Sequence, residues 1–280
     1  MGGWNMDLTH ENNAVPTDHL QQSHLPRDIH GFTTLIVNVF FVGDPEKNDD
    51  WVLIDAGIPG SENKILSEAA TRYGEAHPPK AIVLTHGHFD HVGAVKDLAE
   101  GWGVPVYAHQ DEIPYLTGKK NYPPGDPSVG GGFMAMVSPL YPNDPIDLGD
   151  RVKPLPDDGS IPYMNEWRWI HTPGHTPGHV SLFRDRDGAL IVGDAFITVK
   201  QESALAVFTQ EEEIHGPPAY FTPDWDEAWE SVKKLEALKP KMAYTGHGQV
   251  IYGERLAEQL KYLAENFDKV AIPETGRYVH

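Results

Sequence analysis

Three histidines and one aspartate lie within six positions of the chain and could together hold metal ions. The imidazoles are those of His86, His88 and His91, and the carboxylate is that of Asp90. The segment follows a short apolar run that is typical of a buried strand, and extended backbone at its end points His86 and His88 the same way. A turn into a following helix would swing Asp90 and His91 towards a neighbouring point. The spacing therefore predicts a site for two adjacent metal ions.

The composition restricts the ligands of such a site to nitrogen and oxygen. The chain of 280 residues has 15 histidines and no cysteine. Thiolate zinc sites, disulfides and cysteine nucleophiles are therefore excluded. Imidazole and carboxylate are the ligands that Zn²⁺ accepts when thiolates are absent.

The charge of the chain restricts its partners. Because 41 acidic residues stand against 22 lysines and arginines, the formal net charge is −19. This charge repels a phosphate backbone, so we expect no nucleic-acid partner. No apolar run approaches the ~20 residues that a membrane span needs, and the N-terminus lacks the pattern of a signal peptide. We expect a cytoplasmic protein with a small-molecule substrate and no membrane partner; a homodimer stays open.

Alternating strand and helix patterns surround the histidine-rich segment and favour an α/β layered fold. Residues 32–42 and 51–57 are rich in β-branched and aromatic side chains and are predicted to form a hairpin. The spacing of apolar residues predicts the other elements. Further strands are predicted at 81–84, 104–108, 167–170, 180–183, 189–192 and 241–245, and helices at 61–73, 92–100, 225–238 and 254–267.

We interpret residues 1–30 as a polar lead-in and residues 31–280 as one domain. Residues 118–145 are rich in proline and glycine and are predicted to be an insertion, and residues 196–225 contain a second irregular stretch. Long loops of this kind in a compact domain are usually functional or disordered. We expect the apolar side chains of both to wall a substrate pocket, the alternative being that they only pack their own loops. These side chains are Phe133, Met136, Phe196, Phe208, Tyr220, Phe221 and Trp225.

Five motifs, in order, resemble those of the metallo-β-lactamase superfamily. The pattern H-x-H-x-D-H over residues 86–91 is the signature of that family. Asp55-Ala-Gly, the segment HTPGHTPGH over residues 171–179, Gly193-Asp194 and Gly246-His247-Gly resemble its other motifs. The resemblance covers about residues 31–265. In its pattern of ligands the chain is similar to the glyoxalase II and lactonase branch of the family. It implies a four-layer αβ/βα sandwich of the metallo-β-lactamase type.

The resemblance also implies a complete set of metal ligands. They form two sets of three that are joined by a bridging carboxylate: His86, His88 and His175; Asp90, His91 and His247; and Asp194 between them. Two Zn²⁺ ions are the expected cofactors, with iron, manganese or cobalt as alternatives for one or both. We expect His171 and His179 to lie around the site or at the surface, and Asp55 to orient a ligand or the histidine-rich loop.

A binuclear zinc site of this kind implies hydrolysis of an acyl bond. Two Zn²⁺ ions that share a water lower its pKa from ~15.7 towards ~7, so that hydroxide is present at neutral pH. In the expected reaction the bridging hydroxide, held by Asp194 and oriented by Asp90, attacks the carbonyl of an ester, lactone or thioester. If the apolar pocket is real, a neutral and moderately hydrophobic substrate is preferred over a polyanion.

Other activities of the same family stay open. A mononuclear iron dioxygenase of persulfides would use His86 and His88 with Asp194 or His175. Hydrolysis of a β-lactam or a phosphodiester is a further alternative, although the absence of cysteine argues against the thiolate-ligated lactamases, and Asp194 argues against the subclass that uses histidines alone. The N-acyl-homoserine lactonases share the ligand set but typically carry a tyrosine where Ile197 stands here. The residue that would stabilise the oxyanion is therefore not assigned.

Overall fold

Two β-sheets packed face to face form the centre of the molecule, and helices cover their outer faces. The structure is a computed structural model that describes residues 25–47, 50–129, 146–199 and 213–279. Its strands are β1 (Ile29–Thr34), β2 (Val37–Val42), β3 (Val52–Ile54), β4 (Ala81–Val83), β5 (Val106–Ala108), β6 (Val152–Pro154), β7 (Trp167–His171), β8 (Val180–Arg184), β9 (Ala189–Gly193), β10 (Met242–Thr245) and β11 (Ile251–Tyr252). Its α-helices are α1 (Glu62–Tyr73), α2 (Phe89–Val92), α3 (Val95–Trp102), α4 (Ile113–Leu116), α5 (Trp225–Ala237) and α6 (Gly253–Val270).

The order of strands brings several loops to one edge of each sheet. The first sheet has the order β1-β2-β3-β4-β5-β6 and the second the order β11-β10-β9-β8-β7. Strands β3 to β6 are parallel to one another, as are β9 and β10. The carboxyl ends of parallel strands meet at the same edge, where the connecting loops form ligand sites. Asp55 follows β3, His86 follows β4, Asp194 follows β9 and His247 follows β10.

Alternation of side chains along the buried strands produces four layers. Phe41 of β2 packs in the cluster that β2 to β5 share with α1 and α3, whereas its neighbour Phe40 packs between the two sheets. Similarly, Leu190 of β9 packs towards α5 and α6, and Ile191 packs between the sheets. Because successive strand residues point to opposite faces, fully apolar strands are required in both central layers. This arrangement confirms the predicted αβ/βα sandwich.

The predicted hairpin is wrong in its first strand. Residues 32–42 are not one strand, because β1 and β2 pair with each other from Ile29 and Val42 to Thr34 and Val37. Leu35, in the turn between them, has a φ of 66°, although this turn lacks the glycine or asparagine that usually marks a hairpin. Tertiary hydrogen bonds hold the turn instead, since the amide of Asn38 donates to Gly246 O over 2.7 Å.

The other predicted elements agree with the structure apart from short ones. All the predicted helices are present, within a few residues of their predicted bounds. Strands β6 and β11 were not predicted, because β6 exposes Lys153 and Pro154 and so lacks an apolar run, and β11 has two residues. The first strand begins at Ile29, inside the predicted lead-in. Among the described helices, none is both long and apolar enough to cross a bilayer.

A buried arginine fastens β8 to the segment that leads into β1. The side chain of Arg184 is 1% exposed, and its guanidinium donates to Asp28 over 2.6 and 3.1 Å and to Asp187 over 2.9 and 2.8 Å. A charge this deep is tolerated only when it is paired and hydrogen-bonded. Burial acts to raise the pKa of Asp28, but Arg184 and Arg186 outweigh it and hold this pKa below its usual value.

Replacement of Asp28 by asparagine should destabilise the protein in a pH-dependent way. At pH 7 the Asp28→Asn variant leaves Arg184 short of a charged partner, and we expect a loss of about 1–3 kcal/mol in the free energy of unfolding. Because the pKa of Asp28 is lower in the folded protein, its contribution is complete above the unfolded value of ~3.9 and disappears as pH falls through the folded value. The unfolding curves of wild type and variant in urea should therefore converge as pH falls below about 4.

The matched control is Asp185→Asn, which breaks the exposed ion pair with Arg168. Such surface pairs contribute only about 0–1 kcal/mol. Equal destabilisation by the two variants at pH 7 would contradict a structural role for the buried arginine.

Candidate metal centre

Four segments at the edges of the two sheets bring all seven predicted metal ligands together. The loop after β4 and helix α2 carry four of them, the loop between β7 and β8 carries His175, and β9 and β10 are followed by Asp194 and His247. All seven are buried. Their donor atoms form three overlapping groups, each within 4.8 Å: His86, His88 and His175; His86, His91 and Asp194; Asp90, His91 and His247.

The carboxylate of Asp194 lies between the two predicted sets of ligands. Its Oδ2 atom is 3.5 Å from Nε2 of His175, which belongs to the first set. The same atom is 3.5 Å from Nε2 of His91 and 3.2 Å from Nε2 of His247, which belong to the second. Nε2 of His247 is also 3.4 Å from Oδ2 of Asp90. One carboxylate therefore touches rings from both sets.

Three buried atoms without a hydrogen-bond partner at this point fit a divalent cation. Among the described residues, Nε2 of His86, Nε2 of His91 and Oδ1 of Asp194 are buried and have no hydrogen-bond partner. A buried polar atom without a partner costs about 1–3 kcal/mol, and in a native protein it calls for an explanation such as a bound ion. Imidazole nitrogen and carboxylate oxygen are donors that Zn²⁺ and related ions accept. The donor set thus fits a metal.

The opposite nitrogens of three rings are held by hydrogen bonds that direct Nε2 into the site. Nδ1 of His247 lies 2.7 Å from the carbonyl of Ile36, and Nδ1 of His175 lies 3.2 Å from the hydroxyl of Thr222. Nδ1 of His91 lies 2.8 Å from Oδ2 of Asp55. Partners of this kind fix the orientation and tautomer of a metal-binding imidazole.

Asp55 joins the end of β3 to the histidine-rich loop. Its Oδ1 accepts the amide of Thr85 over 2.8 Å, and its Oδ2 accepts the hydroxyl of Thr85 over 2.8 Å as well as facing His91. Asp55 has a φ of 58°, in the left-handed region that costs energy for a residue with a side chain. The backbone is therefore held in a costly conformation that aims this carboxylate at the loop.

Burial and charge divide the histidines into two electrostatic classes. Burial lowers the pKa of His88 to about 4 and places that of His86 and that of His175 well below the usual value. These rings are therefore neutral, which is the form that binds metal.

The rings of the second set lie next to carboxylates. Burial acts to lower the pKa of His91 and that of His247. The carboxylates of Asp194, Asp55 and Asp90 outweigh it at His91, and those of Asp194 and Asp90 outweigh it at His247. As a result the pKa of His91 lies well above its usual value, and that of His247 is raised to about 10. Burial acts to raise the pKa of Asp194, yet His247 and His91 keep it well below its usual value. A divalent ion would take the place of the protons on these rings.

His179 is buried beside the site but has both ring nitrogens engaged. Its Nε2 accepts the amide of Asp194 over 2.9 Å, and its Nδ1 lies 2.8 Å from the hydroxyl of Thr172. It therefore positions the backbone of Asp194.

His171 lies further out, in a fourth group with His109 and Asp111. The imidazoles of His109 and His171 are stacked, with centroids 4.3 Å apart and planes inclined by 12°. A metal lies in the plane of each imidazole that binds it, so two nearly parallel stacked rings do not converge on one ion.

A small cavity of about 40 Å³ adjoins His88 and His175. Phe221 is the one predicted pocket residue among the residues that line it. Phe196, Tyr220 and Trp225 instead lie in the hydrophobic core beside α5 and α6. The pattern of apolar residues could not separate these two environments, because a loop side chain can pack inwards or towards the site. The predicted wall residues Phe133, Met136 and Phe208 lie outside the described residues.

The remaining lining of the cavity is aromatic and proline-rich: Tyr115, Tyr122, Pro123, Pro124, Pro177, Pro223 and Tyr278. Tyr122 belongs to the predicted insertion at 118–145, so composition did point to its segment. Tyr278 lies near the C-terminus, where its hydroxyl donates to Pro124 O over 3.0 Å. No pattern in the sequence indicated that the end of the chain returns to this cavity.

Comparisons with known proteins agree with this architecture. A model of the metallo-beta-lactamase superfamily matches residues 32–247. The probable metallo-hydrolase YflN of Bacillus subtilis is 50% identical over 244 residues, which cover 87% of this chain and 92% of that protein.

Two solved structures show the same fold. The BLEG-1 B3 metallo-beta-lactamase has a TM-score of 0.58 at 24% identity, and the match covers 84% of this chain and 99% of that one. TTHA1623 in a di-iron-bound form has a TM-score of 0.53 at 25% identity, covering 82% and 97%. With the family match spanning most of the chain and a relative at 50% identity, the protein belongs to the metallo-beta-lactamase superfamily and is a metallo-hydrolase.

Proposed function

We propose that this protein is a binuclear metal-dependent hydrolase that cleaves an ester, lactone or thioester bond of a small molecule. The observation that carries the proposal is the position of Asp194, whose carboxylate lies within 3.5 Å of rings from both ligand sets. Two metal ions that share a bridging oxygen ligand typically lie ~3.5–4 Å apart. The di-iron form of TTHA1623 supports this assignment, since that protein shares the fold.

Two Zn²⁺ ions are the proposed cofactors. Bound here, they would supply a water of lowered pKa and a Lewis acid that polarises a carbonyl. Asp194, whose backbone amide is held by His179, keeps its carboxylate fixed between the two sets of ligands. Asp90 is the more exposed of the two carboxylates, with 11% of its side chain accessible against 3% for Asp194. It is therefore the carboxylate nearer to solvent, and the one that we assign to orienting the attacking water.

The cavity next to the site favours a neutral and apolar group of the substrate. Its described lining consists of tyrosine, phenylalanine, proline and two histidines that burial keeps neutral. Ligand sites with such walls use apolar contact for affinity and a few polar groups for orientation. The net charge of −19 acts in the same direction, since it repels a polyanionic substrate.

The competing interpretation is a mononuclear iron dioxygenase of persulfides. It would use His86 and His88 with Asp194 or His175, and would leave the second set without a purpose. That set is as deeply buried as the first, and it includes Nε2 of His91, which has no hydrogen-bond partner. Because both sets are equally buried and both offer three ligands, two ions are favoured over one.

The metal content of the purified protein tests the number of ions. We expect two divalent ions per chain in metal-replete wild type and about one in a His88→Ala variant, with kcat/KM reduced at least about 100-fold because a direct ligand is lost. Elemental analysis and an esterase assay measure both. His171→Ala is the matched control, and it should keep two ions. One iron per chain with oxygen consumption on a persulfide would overturn the proposal in favour of the dioxygenase.

A substrate panel tests the class of bond. The panel contains an aryl ester, a γ-lactone, an acyl-homoserine lactone, S-lactoylglutathione, a β-lactam and a bis-aryl phosphodiester. We expect the highest kcat/KM on a neutral ester or lactone, with little activity on the β-lactam and phosphodiester, because the cavity wall is uncharged. Activity on the phosphodiester alone would refute the assignment to acyl bonds.

A further inference from the structure

Glu112 is a buried carboxylate that belongs to neither set of metal ligands. It directly precedes α4 and has 0% of its surface exposed. Removing a carboxylate from water costs several kcal/mol unless hydrogen bonds replace the lost hydration. Because its burial is costly, this carboxylate next to the metal site requires specific hydrogen-bond donors around it.

Four donors from the surroundings of the metal site converge on this carboxylate. Its Oε2 accepts the amide of Gly87 over 2.9 Å and the hydroxyl of Tyr122. Its Oε1 accepts the hydroxyl of Thr176 over 2.8 Å and the amide of Gly178 over 2.9 Å. All four partners donate, and an ionised carboxylate is the side chain that only accepts. Charge-assisted hydrogen bonds of this kind are about twice as strong as neutral ones.

The two oxygens are divided between two loops that carry different ligands. Oε2 holds Gly87, which lies between His86 and His88, and Oε1 holds the residue that follows His175. The donor atoms of these three histidines form one group within 4.8 Å. A single side chain therefore bridges the two segments of the chain that must stay in register for this group to form.

The glycines of both loops are explained by close approach to this bridge. A Cβ atom on Gly87 would collide with the hydroxyl of Tyr122, and one on Gly178 would lie 2.8 Å from the amide nitrogen and Cγ of Glu112. Real Cβ atoms do not approach so closely, so only glycine lets each backbone amide reach the carboxylate.

We propose that Glu112 is a positioning residue that sets the distance between the His86–His88 loop and the His175 loop, and so determines the affinity of that histidine set for metal. The second set is held by other partners, namely Asp55 at His91 and the carbonyl of Ile36 at His247. Glu112 therefore acts selectively on one of the two ions. The inference rests on the proposed metal binding by both sets, because its selectivity is measured between them, but it does not need the proposed substrate.

The test measures the affinity of each set by itself. Zn²⁺ affinity is determined by competition with a chromophoric chelator in two backgrounds of the full chain, His247→Ala to retain the first set and His88→Ala to retain the second. Glu112→Gln keeps the shape of the side chain but turns an NH₂ donor towards donors of one loop. We expect it to weaken Zn²⁺ binding about 10- to 100-fold in the His247→Ala background and to change it less than about 3-fold in the His88→Ala background.

Two further variants keep the proposal falsifiable if Glu112→Gln folds poorly. Thr176→Val removes one donor on the His175 side, and Tyr122→Phe removes one on the His86–His88 side. Each should weaken the same set by a smaller factor. The matched control is Glu258→Gln, an exposed position on α6, which should leave both affinities unchanged.

Equal weakening of both sets, or no weakening of the first, would overturn the role of Glu112. Co²⁺ substitution adds a second readout, because the visible spectrum of Co²⁺ in the first set should change in Glu112→Gln while that in the second should not. If wild type binds a single ion, or hydrolyses none of the substrates in the panel, the proposed function fails. A loss confined to the first set would still support the positioning role.

Discussion

Seven imidazole and carboxylate groups lie buried next to one another in this protein, and their charges must be balanced there. The strands and loops around them must hold the groups in positions that allow this balance. Carboxylates cannot be stripped of water unless positive charge or hydrogen-bond donors replace it. Asp194 has this compensation from His91 and His247, whose pKa values are raised by the same contact. Divalent ions would provide it more completely, because His86, His91 and Asp194 each offer a ligand atom within 4.8 Å of the others.

The sheets and the loops both contribute to holding these groups in position. Parallel strands β3, β4, β9 and β10 bring their following loops to adjoining edges of the two sheets. The apolar clusters on both sides of each sheet fix those strands, so the loops start from rigid positions. Buried carboxylates then fix the loops themselves. Asp55 holds the histidine-rich loop to β3, and Glu112 holds it to the loop that carries His175.

Local patterns were sufficient to predict most of the regular elements and the four residues of the histidine-rich segment, because periodic apolar residues and closely spaced histidines are features of the sequence itself. The candidate ligands His175, Asp194 and His247 were implied only by the resemblance to the metallo-β-lactamase superfamily. Local patterns failed where distant contacts decide the conformation. The turn at Leu35 is held by the segment around residues 246–247, more than 200 positions away. Phe196 and Trp225 pack inwards, in the hydrophobic core that α5 and α6 share with the second sheet. Glu112 gave no signal, since a lone glutamate before a short helix is an ordinary surface pattern, and only the structure shows four donors around it.

Anomalous X-ray diffraction from crystals of the metal-loaded protein tests the central claim most directly. The account predicts two peaks ~3.5–4 Å apart. One should lie among His86, His88 and His175 and the other among Asp90, His91 and His247, with the carboxylate of Asp194 between them. A single peak at full occupancy, or two peaks that Asp194 does not join, would contradict it.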